Sequence, residues 1–238
     1  MVNIVEMLLT NHNRPKKKLI KLKGLVIHYT ANTNKGANAV ANRNYFNNTT
    51  NSCSAHYIID DKQIIRCVPD SEVAYHCGAN KYTTLGTSLR EGTAYSPNFF
   101  TVGVEMCVNS DGDWNKTYQN TVEFVAKFLK EHGLTIDNLL RHYDITGKNC
   151  PAMMIDEKEW RKFKQAVQNE INKQLIQEVF ELFKDEKDIS TWAKDSVKRV
   201  SDLGLIKGNE LGEFKPKNGI TREEFAVVLD RLLKYLGK

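Results

Sequence analysis

Apolar residues form a continuous core within 22–29, with β-branched Val26 and Ile27 at its centre, and this predicts a buried strand. Two further strand-like runs, 55–60 and 63–68, flank the turn residues Asp60-Asp61-Lys62 and predict a β-hairpin. Residues 100–108 read as another strand, apolar apart from one acid, Glu105. A short strand is expected at 139–142. Elsewhere the spacing lengthens to three or four. Ala37, Val40, Ala41 and Tyr45 mark helical character in 36–47, while Tyr118, Val122, Val125 and Leu129 share one face of a helix over 116–132, with Gly133 as its stop. Residues 1–18 read as an irregular arm. Glycines, polar residues and Pro97 make 78–98 a long loop, of a length that in compact domains tends to serve function, here as the wall of a cleft.

From 156 to 183 the apolar positions Trp160, Phe163, Val167, Ile171, Leu175 and Val179 recur at helical spacing, and no Gly or Pro lies between 152 and 189. This predicts one or two helices that pack on the first domain and lead out of it as a semi-rigid connection. Two more helices are predicted beyond it. One spans 190–203 with Trp192, Val197, Val200 and Leu203; the other spans 221–236 with Phe225, Val228, Leu229, Leu232 and Leu236. Turn-rich 204–219 separates them, and Thr221 with Glu224 has the form of a capping box. The expected class is α/β, a mixed central sheet flanked by helices, followed by a small all-α domain. The expected limits are 1–172 for the first domain, 173–182 for a helical linker and 183–238 for the tail.

A hydrophobic content of 41% and a charged content of 26% are ordinary for a soluble protein. The net charge of +5 is unevenly placed: from residue 175 onward 12 Lys+Arg meet 12 Asp+Glu, so the whole excess lies in the first 174 residues. That suits an anionic polymer but is too weak and scattered to argue for nucleic acid. Five cysteines without repeating spacing argue against a disulfide framework, and Cys53, Cys67, Cys77 and Cys107 read as small core hydrophobes. No stretch approaches the ~20 apolar residues of a membrane span. At the N-terminus a charge interrupts 4–9 and the basic run at 16–18 follows it, unlike a secretory signal, so the chain is expected to be made in the cytoplasm.

The chemistry concentrates in 141–151, where His142 and Cys150 stand in a Gly- and Pro-marked, turn-rich segment with Lys148 two residues before the cysteine. His28, at the end of its strand, supplies a third ligand. Two imidazoles and a thiolate suit an open zinc site, with one of four positions left for water. The alternative for each is plainer: a structural histidine or a core cysteine. Glu105, inside an apolar strand, is costly unless paired or functional, and could move a proton; alternation turning it to solvent is the other reading. Lys148 could meet charge building on a substrate carbonyl oxygen, or be a solvated loop lysine. His56 is placed for hydrogen bonding behind the site or for substrate contact, and His76 for lining the cleft.

Taken in order, Ile27-His28-Tyr29-Thr30, Ala55-His56-Tyr57-Ile58-Ile59-Asp60, Val73-Ala74-Tyr75-His76, Val102-Gly103-Val104-Glu105 and His142 with Lys148, Cys150 and Pro151 resemble the zinc-dependent N-acetylmuramoyl-L-alanine amidases of the phage-lysozyme and peptidoglycan-recognition type, especially Gram-positive phage endolysins. The resemblance covers roughly residues 1–172. It implies that His28, His142 and Cys150 hold Zn2+, that Glu105 is the general base and that Lys148 stabilises the tetrahedral intermediate. The implied reaction is hydrolysis of the amide between muramic acid and L-alanine in peptidoglycan. Some relatives carry a tyrosine where this chain has Ala55, which shifts the proton work toward Glu105.

The tail, from Trp192-Ala193-Lys194 through Gly204-Leu205-Ile206-Lys207-Gly208 to Ile220-Thr221-Arg222-Glu223-Glu224-Phe225, resembles a single S-layer homology motif. That likeness implies a secondary cell-wall polysaccharide as partner, with Arg222 contacting acidic sugars. Such motifs usually come in threes, which leaves two expectations for a single copy: weak binding by the lone motif, or a homo-oligomer in which three chains associate through the tail to rebuild the usual arrangement. An endolysin with a wall-targeting tail, released to the wall by another protein, is the first reading. A peptidoglycan-recognition protein that binds without cutting is the second, and a zinc peptidase acting within the stem peptide is the third.

Overall fold

The computed structural model describes residues 3–180 and 183–236, with the side chains of 175–180 left aside. The chain divides into two compact units, Met1–Glu170 and Ile171–Lys238. In the first, six strands among the described residues make one sheet: β1 (Ile4–Glu6), β2 (Gly24–Tyr29), β3 (Tyr57–Ile59), β4 (Ile64–Arg66), β5 (Thr101–Met106) and β6 (Leu139–Arg141). Their order across the sheet is β1-β4-β3-β5-β2-β6. β3 and β4 are the expected antiparallel hairpin, and the other neighbouring pairs run parallel. Asp60 closes the hairpin turn by accepting from the backbone N–H groups of Lys62 and Gln63, each at 2.8 Å.

The uninterrupted apolar run at Leu25, Val26 and Ile27 is fully buried, as a central parallel strand requires when both faces are covered. One cover is α1 (Ala39–Asn48), whose Ala39 and Phe46 pack with Ile58 and Ile65. On the opposite face α3 (Trp114–Glu131) sets Phe124 and Phe128 against Tyr57, the neighbour of Ile58 whose side chain alternation turns the other way. α5 (Glu157–Phe180) continues this layer, with Phe163 edge-on to Tyr118 of α3 at 5.4 Å. The expected apolar positions Leu175 and Val179 lie outside the described side chains.

Three expectations need correction. The arm at 1–18 is not wholly irregular, since β1 pairs with β4 at the sheet edge. The loop at 78–98 contains α2 (Thr84–Leu89), started by the Thr83 hydroxyl accepting from Gly86 N–H at 3.0 Å. A Cβ on Gly86 would fall 2.2 Å from the Ile145 carbonyl oxygen, so the absence of a side chain there lets α2 reach its neighbour. That neighbour is α4 (His142–Thr146), a single helical turn where only a loop was expected.

In the second unit Phe183, Ile189 and Val197 form a small core with Phe214 against it. α6 (Lys194–Asp202) is shorter than predicted, because 191–193 forms a tight 3-10 turn that leaves Trp192 86% exposed rather than on an apolar face. α7 (Arg222–Tyr235) begins with the predicted capping box, Thr221 and Glu224 bonding each other's backbone N–H. No side chain of α7 is buried, and Phe225, Leu229, Leu233 and Leu236 stand exposed at helical spacing. Among the described residues no helix is long and apolar enough to cross a membrane.

Candidate metal centre

Parallel β2, β5 and β6 all end at the same edge of the sheet, the edge where open α/β sheets place their ligands. His28 is the fifth residue of β2 and pairs in register with Glu105 of β5. Arg141, the last residue of β6, pairs with Ile27, so His142 emerges beside His28. The returning segment is fastened by Arg141, a residue that sequence reasoning left aside. Its guanidinium, 3% exposed, binds Asp144 at 2.7 Å, the carbonyls of Met154 and Ile155 at 3.0 Å, and the Glu157 carboxylate. Tyr143 N–H donates to the Cys150 carbonyl at 2.9 Å, which folds the thiol back toward α4. Gly147 supplies the left-handed turn that this return needs, at φ 76°.

These elements bring together the three residues proposed as ligands. His28 Nδ1 lies 3.1 Å from His142 Nδ1 and 3.7 Å from Cys150 Sγ. Bond lengths of ~2.0–2.1 Å to nitrogen and ~2.3 Å to sulfur on a tetrahedral zinc put two nitrogens ~3.3 Å apart and nitrogen to sulfur ~3.6 Å apart. The two separations from His28 match that geometry, and all three donor atoms lie within 4.8 Å of one another, so the donor set fits Zn2+. Its electrostatics fit as well. Burial holds His28 well below the ordinary histidine range and lowers His142 to about 4, with the Lys148 ammonium adding to both. The imidazoles are thus neutral, the form that binds a metal. Burial pushes the Cys150 thiol up to about 12, so a cation is needed to hold it as thiolate.

Glu105 faces the same side of the sheet as His28 and is half-buried there. Its Oε2 is buried with no hydrogen-bond partner, and desolvation raises its pKa to about 7 against the opposing pull of Lys148. Lys148 itself is exposed, on the segment between α4 and Cys150, near enough for its charge to act on both histidines, Glu105 and Cys150. Cys67, Cys77 and Cys107 are buried as expected, whereas Cys53 is only half-buried; none is in a disulfide. Ala55 is wholly buried and offers no hydroxyl to the site.

The ring nitrogens of His56 and His76 are engaged by the protein itself. His56 is fully buried; its Nδ1 accepts from Gly103 N–H at 3.0 Å and its Nε2 faces the Glu72 carbonyl at 2.9 Å. It ties three segments together and has no polar atom left for a ligand. His76 lies behind His28, with Nδ1 3.0 Å from His28 Nε2. With Cys77 and His28 it forms a second cluster of donors, which sequence reasoning missed because each member is ordinary alone. In the tail, Arg222 opens α7 and is exposed, while a groove of about 660 Å3 beside that helix takes its cations from Lys207, Lys215 and Arg231.

Comparison with known proteins agrees with this geometry. Residues 18–153 match the family described as N-acetylmuramoyl-L-alanine amidase, and residues 182–226 match the S-layer homology domain. N-acetylmuramoyl-L-alanine amidase CwlL of Bacillus licheniformis is 38% identical over 165 residues, 66% of this chain and 44% of its own. The amidase BlyA of Bacillus subtilis strain 168 is 39% identical over 153 residues, 62% of this chain and 41% of its own. The chain thus spans less than half the length of these curated relatives. Among solved structures, the catalytic domain of XlyA superposes with a TM-score of 0.59 at 30% identity, covering 70% of this chain and 99% of that one. A mutant endolysin from Bacillus subtilis gives 0.60 at 31% identity, with the same coverage.

Proposed function

The chain belongs to the N-acetylmuramoyl-L-alanine amidase family, and from that premise we propose that it cleaves peptidoglycan at the amide joining the lactyl group of N-acetylmuramic acid to L-alanine. The observation that carries the reading is the convergence of His28, His142 and Cys150 at zinc-ligand spacing beside Glu105, whose Oε2 is buried without a hydrogen-bond partner. His28, His142 and Cys150 would hold zinc, which when bound would supply a Lewis acid able to lower the pKa of water from ~15.7 to about 7. Glu105, poised near neutrality, takes the proton from the attacking water and returns it to the departing alanine nitrogen. Lys148 places positive charge where the carbonyl oxygen becomes negative.

Digestion of purified cell wall followed by mass spectrometry tests this directly. The expected products carry new L-alanine amino termini and vanish when a chelator is added. New termini within the stem peptide would instead assign a zinc peptidase, and retention on the wall without products a recognition protein.

For the tail we propose attachment to a secondary cell-wall polysaccharide as an oligomer, the single motif being repeated by association of copies. The exposed stripe Phe225, Leu229 and Leu233 on α7, continued by Leu236 at its C-terminal cap, supports this, since exposed apolar residues in register on one helix mark an interaction surface. Light scattering is expected to give a mass above the 27.2 kDa chain, and Leu229→Glu to return it to a monomer. A monomeric wild-type protein at working concentration would remove the oligomer from the proposal.

A further inference from the structure

The His76 ring is held from every side. Its Nε2 is 3.2 Å from the Thr101 carbonyl oxygen and 3.4 Å from the Thr101 hydroxyl, which in turn donates to the Pro97 carbonyl at 2.9 Å. The Asn98 side-chain oxygen, on a residue 5% exposed, accepts the backbone N–H groups of His76 at 3.2 Å and Cys77 at 2.7 Å. Gly103 gives the ring its floor: a Cβ there would fall 2.6 Å from the imidazole atoms. A ring fixed so thoroughly, with only 7% of its surface exposed, has one atom left to act with, Nδ1.

The direction of the proton follows from the acceptors. A carbonyl oxygen only accepts, so the proton of His76 sits on Nε2 and its Nδ1 is a lone pair. His28 Nε2, 3.0 Å away, therefore donates to it. A neutral imidazole has one N–H, so His28 Nδ1 is left bare, and that is the atom aimed at His142 and Cys150. The Cys77 thiol, 3.1 Å from the same His76 nitrogen, adds a weak second donor. We propose that His76 is a positioning residue for the metal: by accepting from His28 Nε2 it selects the His28 tautomer and holds its ring so that Nδ1 meets the cation. The proposal rests on the zinc reading of the three ligands. A second ion on His28, His76 and Cys77 would need His28 to lose both ring protons, which is why the hydrogen-bonded arrangement is preferred here.

The experiment uses the full chain stripped of metal and titrated with Zn2+ against a competing chelator, with Co2+ absorption as a spectroscopic readout. His76→Leu keeps bulk and removes the acceptor; a loss of roughly 10–100-fold in zinc affinity is expected, as for other groups that orient metal-bound histidines. His76→Asn sets an amide oxygen near the position of Nδ1 and should recover most of that loss. Gly103→Ala, which alters no polar group, should weaken affinity in the same direction by displacing the ring. Nitrogen-15 NMR of the unsubstituted chain should find the His28 proton on Nε2, a result independent of whether any variant folds. One zinc bound with unchanged affinity and cobalt spectrum in His76→Leu, or a His28 proton on Nδ1, would overturn the positioning role while leaving the ligand set standing. Two zinc ions per chain would overturn it by making His76 a ligand. No zinc bound by the unsubstituted chain would overturn the metal reading itself.

Discussion

Cys150→Ser is expected to fold, to lose its zinc and to cleave wall amide at least roughly 10²-fold more slowly. The thiol sits 3.7 Å from His28 Nδ1 in a setting that disfavours its own ionisation, so thiolate exists there only through the charge of a bound cation. Serine's hydroxyl ionises far less readily and is a poorer partner for zinc, leaving two imidazoles where three donors are needed to hold an ion and keep a position open. Metal content after gel filtration and the rate of alanine release read the two effects together. Because Cys150 lies in the return behind α4 rather than in the sheet, and serine is close to cysteine in size, circular dichroism should show an intact fold. Full activity in a zinc-free Cys150→Ser protein would sink the proposed mechanism.

Glu105→Gln separates the proton work from the metal. Zinc affinity should stay close to that of the unsubstituted chain while kcat falls roughly 10²–10⁴-fold, the range set by loss of a positioned general base. Stability should move the other way. The folded Glu105 carboxyl titrates at about 7, above its ordinary value of 4.5, because burial strips water from the charged form. Its contribution to folding is therefore whole below pH 4.5 and is lost as pH rises through 7. At pH 8 the ionised side chain is a cost that glutamine does not carry, so the metal-free variant should exceed the metal-free parent in stability by about 1–3 kcal/mol. At pH 4 that advantage should vanish. Urea denaturation at both pH values in the presence of chelator measures the difference, and equal midpoints at pH 8 would mean that Glu105 is solvated after all.

How much of this was legible in the sequence depended on how local the cause was. β2 announces itself through a continuous apolar core, and Glu105 through its isolation in β5, since both signals lie within a few residues. The three ligands were reached through residue type and the resemblance, and the parallel pairing of β2 with β5 and β6 then explains why they meet. β1 gives almost no signal: Ile4, Val5 and Glu6 are all exposed, and only the backbone bonds to β4 make them a strand. α2 is hidden because Thr84-Leu85-Gly86-Thr87-Ser88-Leu89 has poor helix propensity, and its existence depends on Gly86 seating against the distant Ile145. A histidine near a cleft invites assignment to the substrate, as for His76, or to hydrogen bonding behind the site, the other reading of His56. Only the backbone acceptors Glu72 and Thr101 and the neighbouring His28 reveal that their nitrogens are already engaged.

The strand order has a consequence for how the molecule comes into being. β2 lies between β5 and β6, and its contact with the last strand joins His28 to His142 across 114 residues. During synthesis the second strand must wait, with one or both of its edges open, until almost the whole first unit has left the ribosome. Contacts of such long range slow folding and leave edges that invite wrong partners in the meantime. The centre is then finished in one late step, and a chain that stops short of the sixth strand has no partial version of it.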